Sequence, residues 1–374
     1  MEDARLNPFV PGRGLLPPHL GGRDKEQEAL GRMLAYLEAG RSAPRDIVLI
    51  GPRGNGKTVL LGWFEQTINA RATVDVVWLT PSTIRDMDAL GTALAPPRRF
   101  RDLLPKNLSL SFGLGKLGWE LGGRFHSLAQ LLAARCQSRP LVLLLDEAHT
   151  LQKAIGQPLL NISQLVGREA PFLLVLAGTP GLWAHLNTFD ASFWDRCESI
   201  GVGRLSADAS ADVLAKPMAP EIAFEADALR RVVGIGGGYP FFLQLWGEVL
   251  WDKAREAGAS VVDAEIVAGA LRVFESRRIA FYQIRCAELN RFGALAAAQA
   301  LAAAFLDHET LSERACLQAV AGTLPKGTDP DRAMDLVERL RSLGYVWGPP
   351  GELQLQPGIP SLMEFVRANA SDAF

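Results

Sequence analysis

A glycine-rich segment has the residue types and spacing of a phosphate-binding loop. Gly51-Pro52-Arg53-Gly54-Asn55-Gly56-Lys57-Thr58 matches the pattern G-x-x-x-x-G-K-[ST]. Apolar residues 47–50 before it predict a buried strand, and residues 59–65 after it predict a helix. Glycines let backbone N–H groups turn toward an anion, and the helix N-terminus adds positive potential. We therefore expect this loop to cradle nucleotide phosphates, with Lys57 reaching the β- and γ-phosphates and Thr58 binding Mg²⁺.

Two acidic residues follow another apolar run. Asp146 and Glu147 come directly after residues 141–145, which predict a strand buried on both faces. Asp146 can hold Mg²⁺ there, and Glu147 can orient and polarise an attacking water. The alternative is a carboxylate pair that caps the next helix. Asp146-Glu147-Ala148-His149 also matches a helicase motif, which we interpret as coincidence because such helicases need two nucleotide-binding lobes and the chain has one phosphate-binding loop.

Two further side chains are candidates for acting on the γ-phosphate. Thr179 follows the apolar run 172–177, so its hydroxyl would lie beside the acidic pair and sense the γ-phosphate; the alternative is a plain turn. Arg196 would act as a finger that stabilises transition-state charge on a neighbouring subunit's nucleotide. The alternative for Arg196 is an ion pair within the chain, with Asp195 or Glu198.

The elements that position these residues alternate between strands and helices. Predicted strands at 47–50, 74–79, 141–145 and 172–177 are separated by helical patterns, beginning with a helix over 25–39 capped by Asp24. This alternation indicates a parallel sheet with helices on both faces. Residues 1–22 are rich in proline and glycine and predict an extended arm, so the predicted core spans 23–205.

The rest of the chain is predicted to be mostly helical. Helical patterns over 206–287 indicate an all-helical lid. In residues 288–374, helices are expected near 294–306, from Thr310 with a Thr310/Glu313 capping box, and from Asp329 and Pro330 to Leu343. A hairpin is expected over 345–355. Three helices followed by a two-stranded wing predict a winged-helix domain; the alternative is a helical cap with a hairpin.

The residues described so far support a family resemblance. The chain resembles the AAA+ and STAND side of the P-loop ATPases, near the origin-recognition-type initiators and their prokaryotic relatives. The resemblance covers about 20–287 and implies ATP and Mg²⁺ as ligands. Its opening motif is similar to Leu20-Gly21-Gly22-Arg23-Asp24 here, which implies that Gly22 and Arg23 lie beside the adenine. It also implies an α/β P-loop NTPase fold, with the lid over the nucleotide and the winged helix at the end.

The start of the nucleotide-facing lid helix departs from the initiator pattern. Initiator-type members place an arginine there, whereas this chain has Gly237-Gly238-Tyr239-Pro240, which resembles the STAND pattern. That resemblance implies that Tyr239 and Pro240 contact the nucleotide. The missing arginine weakens any role for lid charge at the γ-phosphate. The alternative is an ordinary helix start with a tolerated proline.

Composition limits the classes of protein that the chain can belong to. It has 374 residues, 48% hydrophobic residues and a formal net charge of −2, which is typical of globular domains and argues against bulk-charge binding to nucleic acid. Its four cysteines form no C-x-x-C pair, so we expect buried thiols rather than a zinc site. The first residues lack a signal-peptide pattern, and no apolar run reaches membrane-span length. We expect a cytoplasmic protein without membrane contact.

Two regions bear on partners. Residues 98–124 predict a glycine-rich hairpin with a net charge of +4 between 98 and 116, either a contact for a partner or nucleic acid or an edge hairpin packed on the sheet. Residues 290–374 hold seven basic and ten acidic residues, which favours a protein-facing winged helix over a double-stranded DNA reader. We expect a slow ATPase switch in signalling or defence with protein partners, and a possible nucleotide-dependent homo-oligomer. The alternatives are a DNA-binding initiator or mobile-element ATPase, and a nucleotide-binding scaffold without useful turnover.

Overall fold

A five-stranded parallel sheet forms the first part of the chain. The computed structural model describes residues 6–94, 121–329 and 331–369. The strands are β1 Asp46–Ile50, β2 Asp75–Leu79, β3 Leu141–Leu145, β4 Phe172–Gly178 and β5 Cys197–Gly201. Their order is β2-β3-β4-β1-β5, so β1 lies between β4 and β5 and all neighbours run parallel. The predicted α/β sheet is confirmed, whereas β5 was not predicted, because its sequence Cys-Glu-Ser-Ile-Gly lacks an apolar run.

Helices cover both faces of this sheet. They are α1 Asp24–Glu38, α2 Lys57–Arg71, α3 Met87–Leu94, α4 Leu121–Ser138, α5 Lys153–Glu169 and α6 Leu182–Asn187. Two hydrophobic cores result, one on each face of the sheet, because alternate residues of each strand point to opposite sides. The predicted cap at Asp24 is wrong: Asp24 is the first helical residue of α1, and the capping position is Arg23, whose side chain makes no capping bond.

The predicted 98–124 hairpin lies mostly outside the described residues. Residues 121–124 belong to α4, so the hairpin prediction is wrong for those four residues. The sequence of residues 121–124, Leu-Gly-Gly-Arg, has no apolar periodicity that would have indicated a helix. The division into arm, core, lid and winged helix stays a prediction, and residues 6–22 form neither helix nor strand.

Four helices follow the sheet in the region predicted as the lid. They are α7 Ala207–Met218, α8 Ala226–Gly236, α9 Pro240–Glu256 and α10 Ala264–Arg291, with a short parallel pair β6 Ala223–Phe224 and β7 Val261–Val262. The predicted boundary at 287/288 falls inside α10. A single hydrophobic core continues from these helices into the C-terminal elements, where the ring of Tyr282 lies 5.1 Å from that of Phe365.

The C-terminal region combines helices with a small antiparallel sheet. Its elements are α11 Leu295–Ala304, β8 Leu311–Ser312, α12 Glu313–Ala321, α13 Asp331–Ser342, β9 Val346–Trp347, β10 Gln354–Pro357 and α14 Pro360–Ala368. The sheet order is β8-β10-β9. Three helices and a hairpin occur in the expected order, and the winged-helix assignment stays a prediction. In the ranges that the structure describes, no helix is long and apolar enough to cross a membrane.

The start of α12 corrects the predicted capping box. Ser312 caps this helix by accepting a hydrogen bond from the Ala315 N–H, whereas the Thr310 hydroxyl bonds to Gln354 across the small sheet. Thr310 precedes a strand rather than a helix, because β10 pairs with residues 311–312. Asp329 does accept a hydrogen bond near the start of α13, from the Asp331 N–H.

Candidate nucleotide site

The phosphate-binding loop lies between β1 and α2, at the carboxyl edge of the sheet. Gly54 and Gly56 have φ angles of +81° and +89°, in the left-handed region that favours glycine. The turn therefore requires both glycines, and at Gly54 a methyl group would also lie 2.1 Å from the Tyr239 hydroxyl oxygen. The Gly51 N–H donates to Gly178 O at 3.3 Å, which ties the loop to the end of β4. This turn aims the N-terminus of α2 at the space above the sheet, as anion binding requires.

The predicted catalytic and metal-binding side chains meet at this edge. The Thr58 hydroxyl donates to Asp146 Oδ2 at 2.6 Å, which brings together the two residues expected to hold Mg²⁺. Burial raises the pKa of Asp146, and the hydrogen bonds from Thr58 and from the Glu147 N–H oppose that shift. Hydroxyl and carboxylate oxygens are ligands suited to Mg²⁺, so these two side chains fit the ion.

Lys57 is buried among opposite charges. Its Nζ donates to the backbone carbonyls of Gly51 and Pro52 at 2.7 and 2.9 Å. Burial lowers the pKa of the Lys57 ammonium to about 8, and the carboxylates of Glu147 and Asp146 oppose that shift. The ammonium is thus held by weak neutral acceptors, which a phosphate oxygen can replace with a stronger charge-assisted bond.

Glu147 and Thr179 are the other two residues predicted to act at the γ-phosphate. Glu147 has a φ of +54°, rare for a residue with a side chain, and its carboxylate is half-exposed and lines the cavity. Thr179 is buried, and its hydroxyl has no hydrogen-bond partner within the described residues. An unpaired buried hydroxyl is costly. The backbone nitrogen of Thr179 lies 3.4 Å from His149 Nδ1, and Thr179 is not among the residues that line the cavity.

A cavity of about 280 Å³ opens beside the loop. Residues 53–59, Glu147, Pro240 and Phe241 line it, together with the N-terminal arm at Val10, Pro11, Gly12, Gly14, Leu15 and Pro17. The arm's role was not predicted, since a proline- and glycine-rich segment shows no periodicity. The phosphate end of the cavity is polar and the arm end is apolar, which suits a nucleotide with phosphates at one end and a base at the other.

The arm is fastened to the lid on the far side of the cavity. The Asn7 side chain donates to Glu248 O at 3.0 Å and to Asp252 Oδ1 at 2.8 Å. Phe9 is buried against α9, where a methyl group added at Gly247 would lie 2.3 Å from the Phe9 ring. The arm also approaches the loop helix, because a methyl group at Gly14 would lie 2.8 Å from Thr58 Cγ2.

Some predicted nucleotide-binding residues also make contacts that hold the structure together. Arg23 is buried, pairs with Glu26 at 3.1 Å, and donates to Asn55 O and Gly203 O at 2.8 and 2.7 Å. Its guanidinium therefore holds the phosphate-binding loop in place, although part of Arg23 lines the cavity. Gly22 does not line it; Gly22 packs against Ala209 of α7. Gly51 packs against Val202, and Asn55 donates to Val202 O at 3.1 Å.

The start of α9 and the C-terminal elements contact the tip of the loop. The Tyr239 hydroxyl donates to Arg53 O at 2.5 Å, while Pro240 lines the cavity. The Arg53 guanidinium lies 3.4 Å from Glu288 Oε1 of α10. Methyl groups added at Gly344 or Gly358 would lie 3.4 Å from atoms of Pro52. Tyr239 thus contacts the loop through its hydroxyl, and Pro52 faces the C-terminal elements rather than the cavity.

Arg196 lies at the amino-terminal ends of the strands, opposite to the carboxyl ends where the loop lies. It precedes β5, whose first residue, Cys197, is in register with Asp46 at the start of β1. It pairs with Asp190 at 2.6 Å, so the predicted partners Asp195 and Glu198 are wrong. Asp190 caps the short 3₁₀ turn that carries Arg196, which sequence proximity alone did not indicate. A strand length, roughly 16 Å, separates this edge from the loop, so Arg196 does not lie at the phosphate-binding loop of its own chain.

Comparisons with known proteins agree with this geometry. Residues 19–176 match the family model described as the AAA ATPase domain. No curated protein matches the sequence. The structure resembles that of the Aeropyrum pernix ORC2 protein, solved as ADPNP-ADP complexes, with 14% identity and a TM-score of 0.59 over 96% of this chain and 97% of that chain.

Two other solved structures have the same fold. Cdc6p from Pyrobaculum aerophilum is 16% identical, with a TM-score of 0.53 over 96% of this chain and 98% of that chain. The Thermotoga maritima RuvB Holliday junction branch migration motor is 16% identical, with a TM-score of 0.50 over 92% and 96%. The match to the AAA ATPase domain model covers residues 19–176, less than half of the chain, and the fold over nearly the whole chain resembles that of ORC2, Cdc6p and RuvB.

Proposed function

We propose that the protein is a Mg²⁺-dependent ATP-binding and ATP-hydrolysing switch, whose lid and C-terminal elements change position with nucleotide state. The observation that carries this proposal is the three-sided contact at the loop tip. Tyr239 of the lid, Glu288 of α10 and the backbone at Gly344 and Gly358 all contact Pro52-Arg53. A group that binds the loop therefore acts on residues that hold the rest of the chain.

Each residue of the site has a role in this proposal. Lys57 and the loop N–H groups bind the phosphates, and Glu147 orients and polarises the attacking water. Thr58 and Asp146 would hold Mg²⁺, which neutralises charge on the phosphates. The Thr179 hydroxyl would accept or donate a hydrogen bond at the γ-phosphate end. The intact set predicts turnover, and a slow rate is expected of a switch.

Arg53 provides a physical route from nucleotide to C-terminal elements. It lines the cavity and at the same time pairs with Glu288, which Arg285 also contacts at 3.0 Å. A bound triphosphate brings negative charge that competes with Glu288 for the Arg53 guanidinium. A ligand shifts an equilibrium only by its differential affinity for the two states, and this competition would supply that difference.

A protein partner is favoured by the charges near α13. Arg339 donates to Phe292 O at 2.9 Å, and Arg341 lies 3.4 and 3.6 Å from Glu313 and Glu338. Phosphates would have to compete with these acceptors for the two guanidinium groups, which lowers the gain from binding DNA there. Signalling or defence through a protein partner is therefore the output that we propose, with a nucleotide-dependent homo-oligomer as the setting in which Arg196 would act.

A DNA-binding ATPase is the second candidate, because of the fold shared with ORC2, Cdc6p and a Holliday junction motor. In that case double-stranded DNA would bind with a steep salt dependence. A nucleotide-binding scaffold without useful turnover would bind ATP tightly and release no phosphate.

The test is ATP turnover with and without double-stranded DNA, at low and at physiological salt. Lys57→Ala removes the phosphate-binding ammonium, and Lys153→Ala, at an exposed helix position, is the matched control. Turnover that only Lys57→Ala abolishes and that DNA leaves unchanged supports the protein-partner switch. Salt-sensitive stimulation by DNA would support the second candidate, and tight ATP binding without turnover would leave the scaffold.

A further inference from the structure

His149 lies between two residues of the site but has no role in the proposed function so far. It belongs to the 3₁₀ turn Ala148–Thr150, directly after Glu147, and its side chain is 12% exposed. Its Nδ1 lies 3.4 Å from the backbone nitrogen of Thr179, in hydrogen-bond geometry. Its Nε2 lies 3.4 Å from Glu147 Oε2 and has no completed hydrogen bond within the described residues.

These contacts determine the position of the imidazole proton. An amide N–H can only donate, so Nδ1 must accept, and the neutral ring then carries its proton on Nε2. Burial, with a smaller contribution from the positive charges of Arg53 and Lys57, lowers the pKa of His149 to about 4. The ring is therefore neutral near pH 7, and the nitrogen that carries its single N–H lies 3.4 Å from Glu147 Oε2, without the geometry of a completed hydrogen bond.

Glu147 otherwise lacks support for its carboxylate. Within the described residues, no hydrogen bond to this carboxylate is completed; the neutral His149 ring lies 3.4 Å from it, and the Glu147 side chain is 53% exposed. A general base must hold its oxygens toward the attacking water, and catalytic hydrogen bonds are often long in ligand-free structures. A donor on one carboxylate oxygen fixes the rotation of the group and leaves the other oxygen free for water.

We propose that His149 is a positioning residue: the Thr179 N–H orients its ring, and its Nε2–H holds the Glu147 carboxylate in place. This inference rests on the proposed ATPase function, because Glu147 is assigned there as the residue that polarises water. It links the residue expected at the γ-phosphate, Thr179, to the residue expected to activate water. A displacement of Thr179 would thus be passed to Glu147 through one ring.

Two amide variants distinguish the roles of the two ring nitrogens. In His149→Gln, the side-chain amide can place an N–H where Nε2–H lies, whereas in His149→Asn the amide oxygen can replace Nδ1 as an acceptor. We expect His149→Gln to retain kcat within about 10-fold, and His149→Asn and His149→Phe to lower it by about 100-fold, with KM changed less than about twofold. Full activity in the Asn variant with loss in the Gln variant would show that only the contact between His149 and the Thr179 N–H matters, and this would overturn the proposal.

A second measurement does not depend on turnover. Nitrogen-15 NMR of histidine-labelled protein reports which ring nitrogen carries the proton, with His149→Gln used for assignment. We expect the His149 proton on Nε2 and a shifted Nε2 resonance in Glu147→Gln. His185 is the internal control, since its Nε2 lies 2.7 Å from Leu151 O and its signal should not respond. A proton on Nδ1, or a His149 signal indifferent to Glu147→Gln, would overturn the inference, whereas the expected spectrum without turnover would reject only the ATPase function.

Discussion

Replacing Gly181 by alanine is expected to push the C-terminal elements away from the ATPase sheet. Gly181 lies in the turn after Thr179, with a φ of −69° that alanine adopts without strain. The added methyl group would lie 2.5, 2.7 and 2.8 Å from Oγ, Cα and Cβ of Ser342, at the end of α13. The substitution therefore tests one contact between the two parts of the chain and leaves the local backbone unchanged.

The size of the effect follows from these distances. Carbon atoms in good contact lie about 3.5–4.0 Å apart, so the two surfaces must separate by about 1 Å. Overpacking of this kind costs about 1–3 kcal/mol, which would shift an equilibrium between docked and undocked C-terminal elements by about 5- to 150-fold toward the undocked state. Because Ser342 contributes a backbone atom, a change of rotamer alone cannot relieve the overlap.

Energy transfer between two dyes measures this displacement. Cysteines introduced at Lys153 and at Leu353, which is 95% exposed, would carry the dyes, since all four native cysteines are buried. Gly31→Ala is the matched control, because a methyl group there meets no atom within 4 Å. We expect lower transfer efficiency and a lower melting temperature in Gly181→Ala than in Gly31→Ala. Identical values for both variants would show that the C-terminal elements do not rest on this turn.

Three further substitutions test other contacts. Arg23→Met leaves buried acceptors unpaired and should lower the free energy of unfolding by about 3 kcal/mol in urea; no change would refute a scaffold role for Arg23. Phe9→Ala should release the arm and weaken ATP binding in calorimetry, with exposed Leu6→Ala as the control, and equal affinities would exclude the arm from the site. Burial raises the pKa of Asp46 to about 6, so the folded chain binds its proton more tightly than the unfolded chain. Stability should therefore fall by about 3 kcal/mol as pH rises from about 3 to about 7 on account of Asp46, and Asp46→Asn should reduce the fall by that amount in pH-dependent urea unfolding; a fall of unchanged size would contradict the assignment.

The sequence predicted the elements whose physical signal is local. The four apolar strands and the loop 51–58 follow from hydrophobic runs and from glycines at a tight turn, and the acidic pair after β3 follows from its place at a strand end. β5 was missed because it is an edge strand and most of its residues are only partly buried, so its sequence needs no continuous apolar run. Ser312 was missed as a cap because the choice between Thr310 and Ser312 depends on pairing with a strand more than forty residues away.

The residues around the cavity show the same limit. Lys57, Thr58 and Glu147 occupy the expected edge because a motif of fixed spacing determines their local geometry. Arg23 matched a family motif, but its burial depends on the carbonyl of Gly203, which no local pattern reveals. The arm reaches the cavity through a contact between Phe9 and α9 that spans more than two hundred residues of sequence. Contacts between residues so far apart in the sequence depend on tertiary packing, and a local hydrophobic pattern cannot predict them.

The length of α10 has a mechanical consequence. The helix has 28 residues. At 1.5 Å per residue it is about 42 Å long, so a tilt of about 10° at its lid end would move its other end by about 7 Å. A continuous α-helix bends little without proline or a comparable interruption. A rotation of one end of α10 therefore moves the whole helix as a rigid rod. A small rotation of the lid would then become a displacement as large as a side chain at the end of the helix where Glu288 pairs with Arg53.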